Sequence, residues 1–391
     1  MQFFFYTQDM TLHNTAVLIR RAGIGSFVGI VSILLIVILV RVGISIKNSL
    51  YPPIKDPPTQ TFGVLSPIQF PKSVVDNNFT YTLRTLSGEL PTDFPDRLSV
   101  FPIVKNQPNF LNLDRVKKNV ASIGFVSQDG TVLPDTPLTN PFYEWNEQKD
   151  FYRKIIFNIN SFDFKMTSSY LSSLTVLSAK FISNEQDAIN VALYFLNLMG
   201  LTPNDIDLTK TTTQDNPAHY VTYPELYSIK SEAQGNILVT ADKLSQTQVI
   251  RVDLYQRDVE YDMNTGLTEG ADQKLHLKLP ILYPQLPYST MSFWVASGPS
   301  GAMVTQAFFT HKNIDLTNAD ATYGIKTPEE AFAELEGGKA YIATYWGSDN
   351  NIPVTDVYLA YYLTEDTQDY LMPIYVFEGK NGFFAFVSAI Q

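Results

Sequence analysis

The sequence predicts an α+β protein: one N-terminal transmembrane helix, then about three units in which a helix packs on an antiparallel sheet. Three observations carry this expectation. One run near the N-terminus is uncharged and long enough to cross a bilayer. Three amphipathic helix patterns with end signals stand in the remainder. Each is followed by short runs rich in Tyr, Phe, Val and Ile, joined by turn residues.

The apolar run is Ala22 to Val40, nineteen residues reading AGIGSFVGIVSILLIVILV. As a helix it would span roughly 28 Å, close to the bilayer core of about 30 Å. No A-x-A cleavage pattern follows it, which favours an anchor over a removed signal peptide. Arg20 and Arg21 precede it and Arg41 and Lys47 follow, so flanking charge leaves orientation open. The remainder, with 24 basic and 38 acidic groups, is strongly acidic. The expected topology is a cytoplasmic tail over 1–21, a transmembrane helix over 22–40 and an extracytoplasmic C-terminal part. Gly25 and Gly29 form a small-residue pair of the kind that lets membrane helices associate, which leaves a homo-oligomer open.

Residues 41–72 read as a stalk, because six prolines between 51 and 72 favour extended backbone. The first helix pattern follows, from Leu113 to Ile123, with Leu113, Val116, Val120 and Ile123 on one face and Gly124 as its stop. The second opens on Ser183-Asn184-Glu185-Gln186, a capping-box pattern, and carries Ala188, Val191, Ala192, Phe195 and Leu196 inward before Gly200. The third opens on Thr327-Pro328-Glu329-Glu330 and ends at Gly337-Gly338.

Strand-like runs fill the intervals. They include 142–145, 154–159, 162–166, 219–223, 248–255, 274–282, 291–296, 304–310, 340–345, 356–363, 372–377 and 383–389. Short loops between consecutive runs imply antiparallel pairing, and Gly379 to Gly382 predicts a hairpin joining the last two. The expected domains are 73–175, 176–315 and a C-terminal unit over 316–391 packed on the second. The last two share a helix-then-Tyr-rich-strand order and read as a diverged duplication.

Composition excludes several functions. A formal charge of −11 argues against nucleic-acid binding, which needs a basic face. The absence of cysteine removes disulfide scaffolds, thiol enzymes and thiolate metal sites. The four histidines, His13, His219, His276 and His311, show no metal-ligand spacing, and no nucleophile elbow or P-loop is present. No cofactor is expected. Asp253, Asp258 and Glu260 near one strand end, with Glu329 and Glu330 at a helix start, are the carboxylates a glycan hydrolase would need; the helix pair already has a capping role. Asp262 to Asp272 resembles a calcium-binding turn, but Gln273 replaces the terminal acid and a hairpin loop accounts for it.

Aromatic residues concentrate near the C-terminus. Tyr345, Trp346, Tyr358, Tyr361, Tyr362 and Tyr375 are the candidate contact surface, since tyrosine and tryptophan are favoured where proteins meet. The pattern Thr327-Pro328-Glu329-Glu330-Ala331, then Gly337-Gly338, Val357 to Tyr362, Leu371 to Phe377 and Phe383 to Ala389 resembles the YycH/YycI type of membrane-anchored regulator, with PepSY-like units. It also resembles uncharacterised membrane-anchored proteins of candidate-phylum bacteria. The resemblance implies a single-pass protein that touches a sensor kinase or scaffold in the cell envelope and performs no catalysis. The expected function is therefore extracytoplasmic binding or regulation by protein–protein contact, with a carboxylate-dependent envelope enzyme as the alternative.

Overall fold

The computed structural model describes residues 31–43 and 55–391, apart from 74, 76–78, 126–129, 134–141, 180–181, 183, 213–223, 267–273 and 299–300. Strand takes 40% of the described structure and helix 20%, so the protein is mainly β. Contacts divide it into two units, one of residues 1–57 with 266–273 and one of 58–265 with 274–391.

In the first unit a helix runs over 31–43 with every side chain exposed. Among the described residues no helix is long and apolar enough to cross a membrane, which corrects the expected transmembrane helix. Residues 22–30 of that expected span lie outside the described residues.

The second unit is built on two large sheets. Sheet I has nine strands, in spatial order Thr131–Val132, Phe142–Gln148, Tyr152–Asn158, Phe164–Ser168, Gly301–Phe309, Met291–Gly298, Val249–Asp253, Glu225–Glu232 and Gly235–Thr240. All its pairings are antiparallel. Alternation within each strand gives the sheet two unlike faces. On one, Trp145, Ile155, Met166, Ala307, Phe293 and Val252 stand opposite one another across six strands. They form one core with the inward faces of helices Asn112–Ser122 and Glu185–Leu198. Each such large side chain contributes about 1.5–3 kcal/mol on burial. The other face presents Ile156, Lys165, Phe308, Ser292 and Asp253 in the adjacent cross-strand row.

Sheet II has the main order Thr80–Leu83, Asn351–Tyr362, Tyr370–Gly379, Phe383–Ser388 and Tyr341–Thr344. Thr80–Leu83 and Ile281–Leu282 pair in parallel with Asn351–Tyr362, and Phe101–Val104 extends Tyr370–Gly379 antiparallel. The expected C-terminal hairpin is present, with Gly379 opposite Phe383. Phe383, Ala385 and Val387 face helix Pro328–Glu336, whereas Phe384 and Phe386 face the opposite side with Tyr341, Tyr362, Ile374 and Val376. That second side is covered in turn by Ile68, Phe70, Leu282 and Leu286. Residues 58–72 therefore lie along sheet II: Phe70 stacks on Tyr341 at 5.4 Å, and Phe62 N donates to Tyr323 Oη.

Two further corrections follow. The helix-on-sheet units do not exist as successive blocks, because Phe164–Ser168 pairs with Gly301–Phe309 and Thr80–Leu83 with Asn351–Tyr362. With the strands of each sheet drawn from distant parts of the chain, the duplicated arrangement of 176–315 and 316–391 is absent as well. The second helix is capped by Asn184, whose side chain accepts from Asp187 N, and Ser183 lies outside the described residues. The third helix has the predicted capping box between Thr327 and Glu330.

Candidate functional site

Tyr170, Leu171 and Val176 cover one end of this second face of sheet I, around Val249 and Ala296; the rest looks onto the loop that joins Asn351–Tyr362 to Tyr370–Gly379, and a cleft lies between them. Three cavities of 340, 350 and 510 Å³ share lining residues along it, and Glu365 borders all three. Trp294, Phe308, Ser292 and Arg251 line it from the sheet; Glu365 and Asp366 line it from the loop. The loop is held in shape by Gln368, whose Nε2 donates to Tyr362 O and Tyr370 O and whose Oε1 accepts from Thr364 N.

At one end of the cleft stands a tightly bonded ion pair. Arg251 and Asp253 are two residues apart on one strand, so their side chains share a face. Arg251 Nε donates to Asp253 Oδ2 at 2.8 Å and Nη2 to Oδ1 at 3.1 Å. Ser292 Oγ and Ser289 N also donate to Asp253 Oδ1. The guanidinium lies 3.5 Å from the Tyr288 ring centre and 4.8 Å from that of Trp294, a cation–π contact with each. Burial pushes the Asp253 carboxyl up, opposed by Arg251 and by the serine bonds. Burial would lower Arg251, but the adjacent Asp253 carboxylate holds its guanidinium above its ordinary value. Glu225 accepts from Tyr227 Oη at 2.5 Å and Tyr288 Oη at 3.2 Å. Burial, then the Glu225 carboxylate, pushes the Tyr227 phenol up.

At the other end Asp163 lines the two larger cavities. Its Oδ1 is buried and has no hydrogen-bond partner among the described residues. Burial raises its carboxyl, against a bond from Ser161 and the charge of Lys312. Lys165 Nζ lies 4.9 Å over the Phe308 ring between the two ends.

The expected carboxylate group is dispersed. Asp253 is taken by Arg251, Asp258 by Lys210, and Glu260 by His276 at 3.4 Å. Glu330 accepts from Thr327 N in the capping box, and Glu329 occupies the same first helical turn. His276 Nδ1 also meets Asp262 at 2.9 Å, while His13 and His219 lie outside the described residues. Asp262 belongs to the hairpin of Val259–Asn264 with Lys274–Leu279; 267–273 of the calcium-like turn lie outside the described residues. No metal-holding group of His, Cys, Asp or Glu occurs among the described residues.

The aromatic contact surface is also corrected. Tyr361, Tyr362 and Tyr375 are fully buried. Tyr361 Oη donates to Ser99 O and Tyr375 Oη to Lys326 O, each closing a bond inside the fold. Tyr362 packs edge-on against Phe70 and Phe386. Tyr345 and Tyr358 are half-buried, and only Trp346 is widely exposed, at 68%. A sheet covered on both faces leaves its tyrosines no surface to present.

Of the candidate site residues weighed from the sequence, His311 lines the cleft and Asp253 sits behind its wall, paired with Arg251. Arg251, Tyr288, Trp294, Phe308 and Glu365 were missed. The signal available for the first was the Arg-x-Asp spacing on a strand, which places opposite charges side by side. Nothing local predicts that the 363–369 loop meets sheet I.

No protein-family model matches the chain, and no curated protein matches it. Among solved structures the chain is similar, at 12% identity, to an uncharacterised protein from Eubacterium rectale ATCC 33656. That likeness covers 75% of this chain and 84% of the other, with a TM-score of 0.35.

Proposed function

We propose that this chain is a binding protein of the cell envelope, acting by protein–protein contact as a regulator or scaffold. We further propose that it takes its partner in the cleft between its two sheets. The supporting observation is the cleft itself: the face of sheet I opposite its two long helices carries Trp294 and Phe308 into a continuous groove bordered by the carboxylates of Glu365 and Asp366. Aromatic side chains beside polar ones are the composition of protein contact sites. The partner class is a membrane or envelope protein, a sensor kinase or a scaffold component, as the resemblance to YycH/YycI-type regulators implies. Its location at the membrane rests on the apolar N-terminal segment, of which Ile33 to Val40 are exposed here; these side chains need a non-aqueous neighbour.

A photo-reactive residue placed at Phe308 in the full chain, expressed in bacterial membranes, tests this reading. Adducts to a second protein are expected at Phe308, and Trp294→Ala should diminish them. Adducts at Trp346 with none at Phe308 would move the contact away from the cleft and overturn it.

A further inference from the structure

Among the described residues, sheet I ends on Gly235–Thr240, which pairs on one side only, with Glu225–Glu232; its hydrogen bond to the neighbouring 170–172 turn comes from a side chain, Asn236 Nδ2 to Leu171 O at 2.7 Å. The direction of its free backbone groups follows from the register. Ala241 N donates to Leu226 O and Gln248 N to Tyr227 O. Residues 226, 228, 230 and 232 therefore direct their backbone groups toward Gly235–Thr240, and the alternate residues toward Val249–Asp253. Val239, Ile237 and Gly235 stand opposite 228, 230 and 232 and complete those bonds. The N–H and C=O groups of Asn236, Leu238 and Thr240 then point out of the sheet, and no described residue bonds to them.

Open edges in natural proteins are blunted by lysine, proline or a bulge. This one has none of these. It reads Gly-Asn-Ile-Leu-Val-Thr, without charge, in regular register to its neighbour, and Ile237 is 40% exposed. We propose that this edge pairs antiparallel with the same edge of a second copy of the chain, about a two-fold axis at Leu238.

The parity of the backbone groups selects that register. Only outward residues can form hydrogen-bonded pairs with outward residues, and of the registers this allows the one centred on Leu238, with Asn236 facing Thr240 of the second copy, uses the most of them. All six outward N–H groups and all six C=O groups are then used, and the contact is isologous. A second copy suits the edge electrostatically as well. The chain carries −11, but the edge strand carries no charge; Lys230 and Glu232 on the adjoining strand pair at 3.1 Å, and Asp242 and Lys243, which follow Thr240, are of opposite sign. Six residues per copy make a small interface, below the roughly 1,000 Å² of stable complexes, so the pairing is reversible and concentration-dependent. This inference does not depend on the cleft.

The chain contains no cysteine, so one introduced thiol reports on one position. Hydrogen-bonded antiparallel partners have Cα atoms about 5.5 Å apart, within disulfide reach. In full-length protein in detergent, mild oxidation of the Leu238→Cys variant should give a disulfide-linked dimer. Thr240→Cys alone should not, since its mate lies four residues along; a mixture of Asn236→Cys and Thr240→Cys should. Ile237→Lys should reduce dimer formation at least tenfold by sedimentation equilibrium, with an unchanged circular dichroism spectrum. Equal crosslinking of Thr240→Cys alone would reveal random collision. That result, or the failure of both Leu238→Cys and the mixture to crosslink, would overturn the proposal. Should Leu238→Cys fail to fold, the mixture and Ile237→Lys still decide it.

Discussion

Arg251 and Asp253 show what a buried pair demands of its surroundings. The two side chains, 12% and 9% exposed, are each desolvated, and mutual pairing, serine and backbone donors and the rings beside Arg251 compensate. Removing one partner leaves the other charge stranded. Arg251→Met should therefore destabilise the protein by about 3–5 kcal/mol in urea unfolding. Arg251→Met with Asp253→Leu should recover most of that loss, because no unpaired charge remains. Asp205 makes the complementary test. Burial pushes its carboxyl up, but His311 Nε2 at 2.8 Å and Gln256 Nε2 at 2.7 Å reverse the effect, and it lies below its ordinary value. A carboxyl depressed on folding gives stability that is present above its unfolded pKa and lost as pH falls through the folded one. Asp205→Asn should cost about 1–2 kcal/mol at pH 7. The gap between variant and parent should close as pH falls below about 4, the range in which free aspartate titrates. Urea titrations at pH 7, 4 and 3 measure it.

The elements most legible in the sequence are those whose signals are local. The Thr327 capping box and the final hairpin are both present, since end chemistry and turn residues act within a few positions. The turn itself can be tested. Gly382 has φ +64°, and a Cβ there would clash with the Trp346 ring. Gly382→Ala should cost more than the roughly 1–2 kcal/mol of left-handed backbone alone. Trp346→Ala, at an exposed side chain, should change little by itself and should bring the cost of Gly382→Ala down to the backbone part; thermal melts of the three variants test this. The burial of the tyrosines was less legible, though its signal was present. Leu371 to Phe377 and Phe383 to Val387 are nearly continuous apolar runs. A strand with one wet face alternates, whereas one buried on both faces does not. Read that way, Tyr375 belongs to the core, where the structure places it. The cleft was illegible for a different reason. Its two walls are more than 50 residues apart in the chain, and only the assembled sheets bring Glu365 to Phe308.

At the scale of the whole molecule, the pairings bind distant segments into one folding unit. Phe164–Ser168 lies between Tyr152–Asn158 and Gly301–Phe309, so sheet I closes only when residues beyond 300 arrive. Among the described residues Thr80–Leu83 has a single strand partner, Asn351–Tyr362. A fragment of 73–175 would keep four adjacent strands of sheet I but lose Phe309, Phe293 and Val252 from its core, together with helix Glu185–Leu198. Phe164 alone loses its stacked neighbour Phe309 at 5.1 Å and Phe195 at 6.2 Å. Helix Asn112–Ser122 cannot replace what the longer helix covers, because the two contribute different residues to one shared core. The fragment should therefore be unfolded, with collapsed amide-proton dispersion in NMR spectra, whereas the second unit within the full chain should melt in one cooperative transition. A fragment 73–175 with dispersed amide signals and its own melting transition would show that the long-range strands decorate an independent domain and do not complete it.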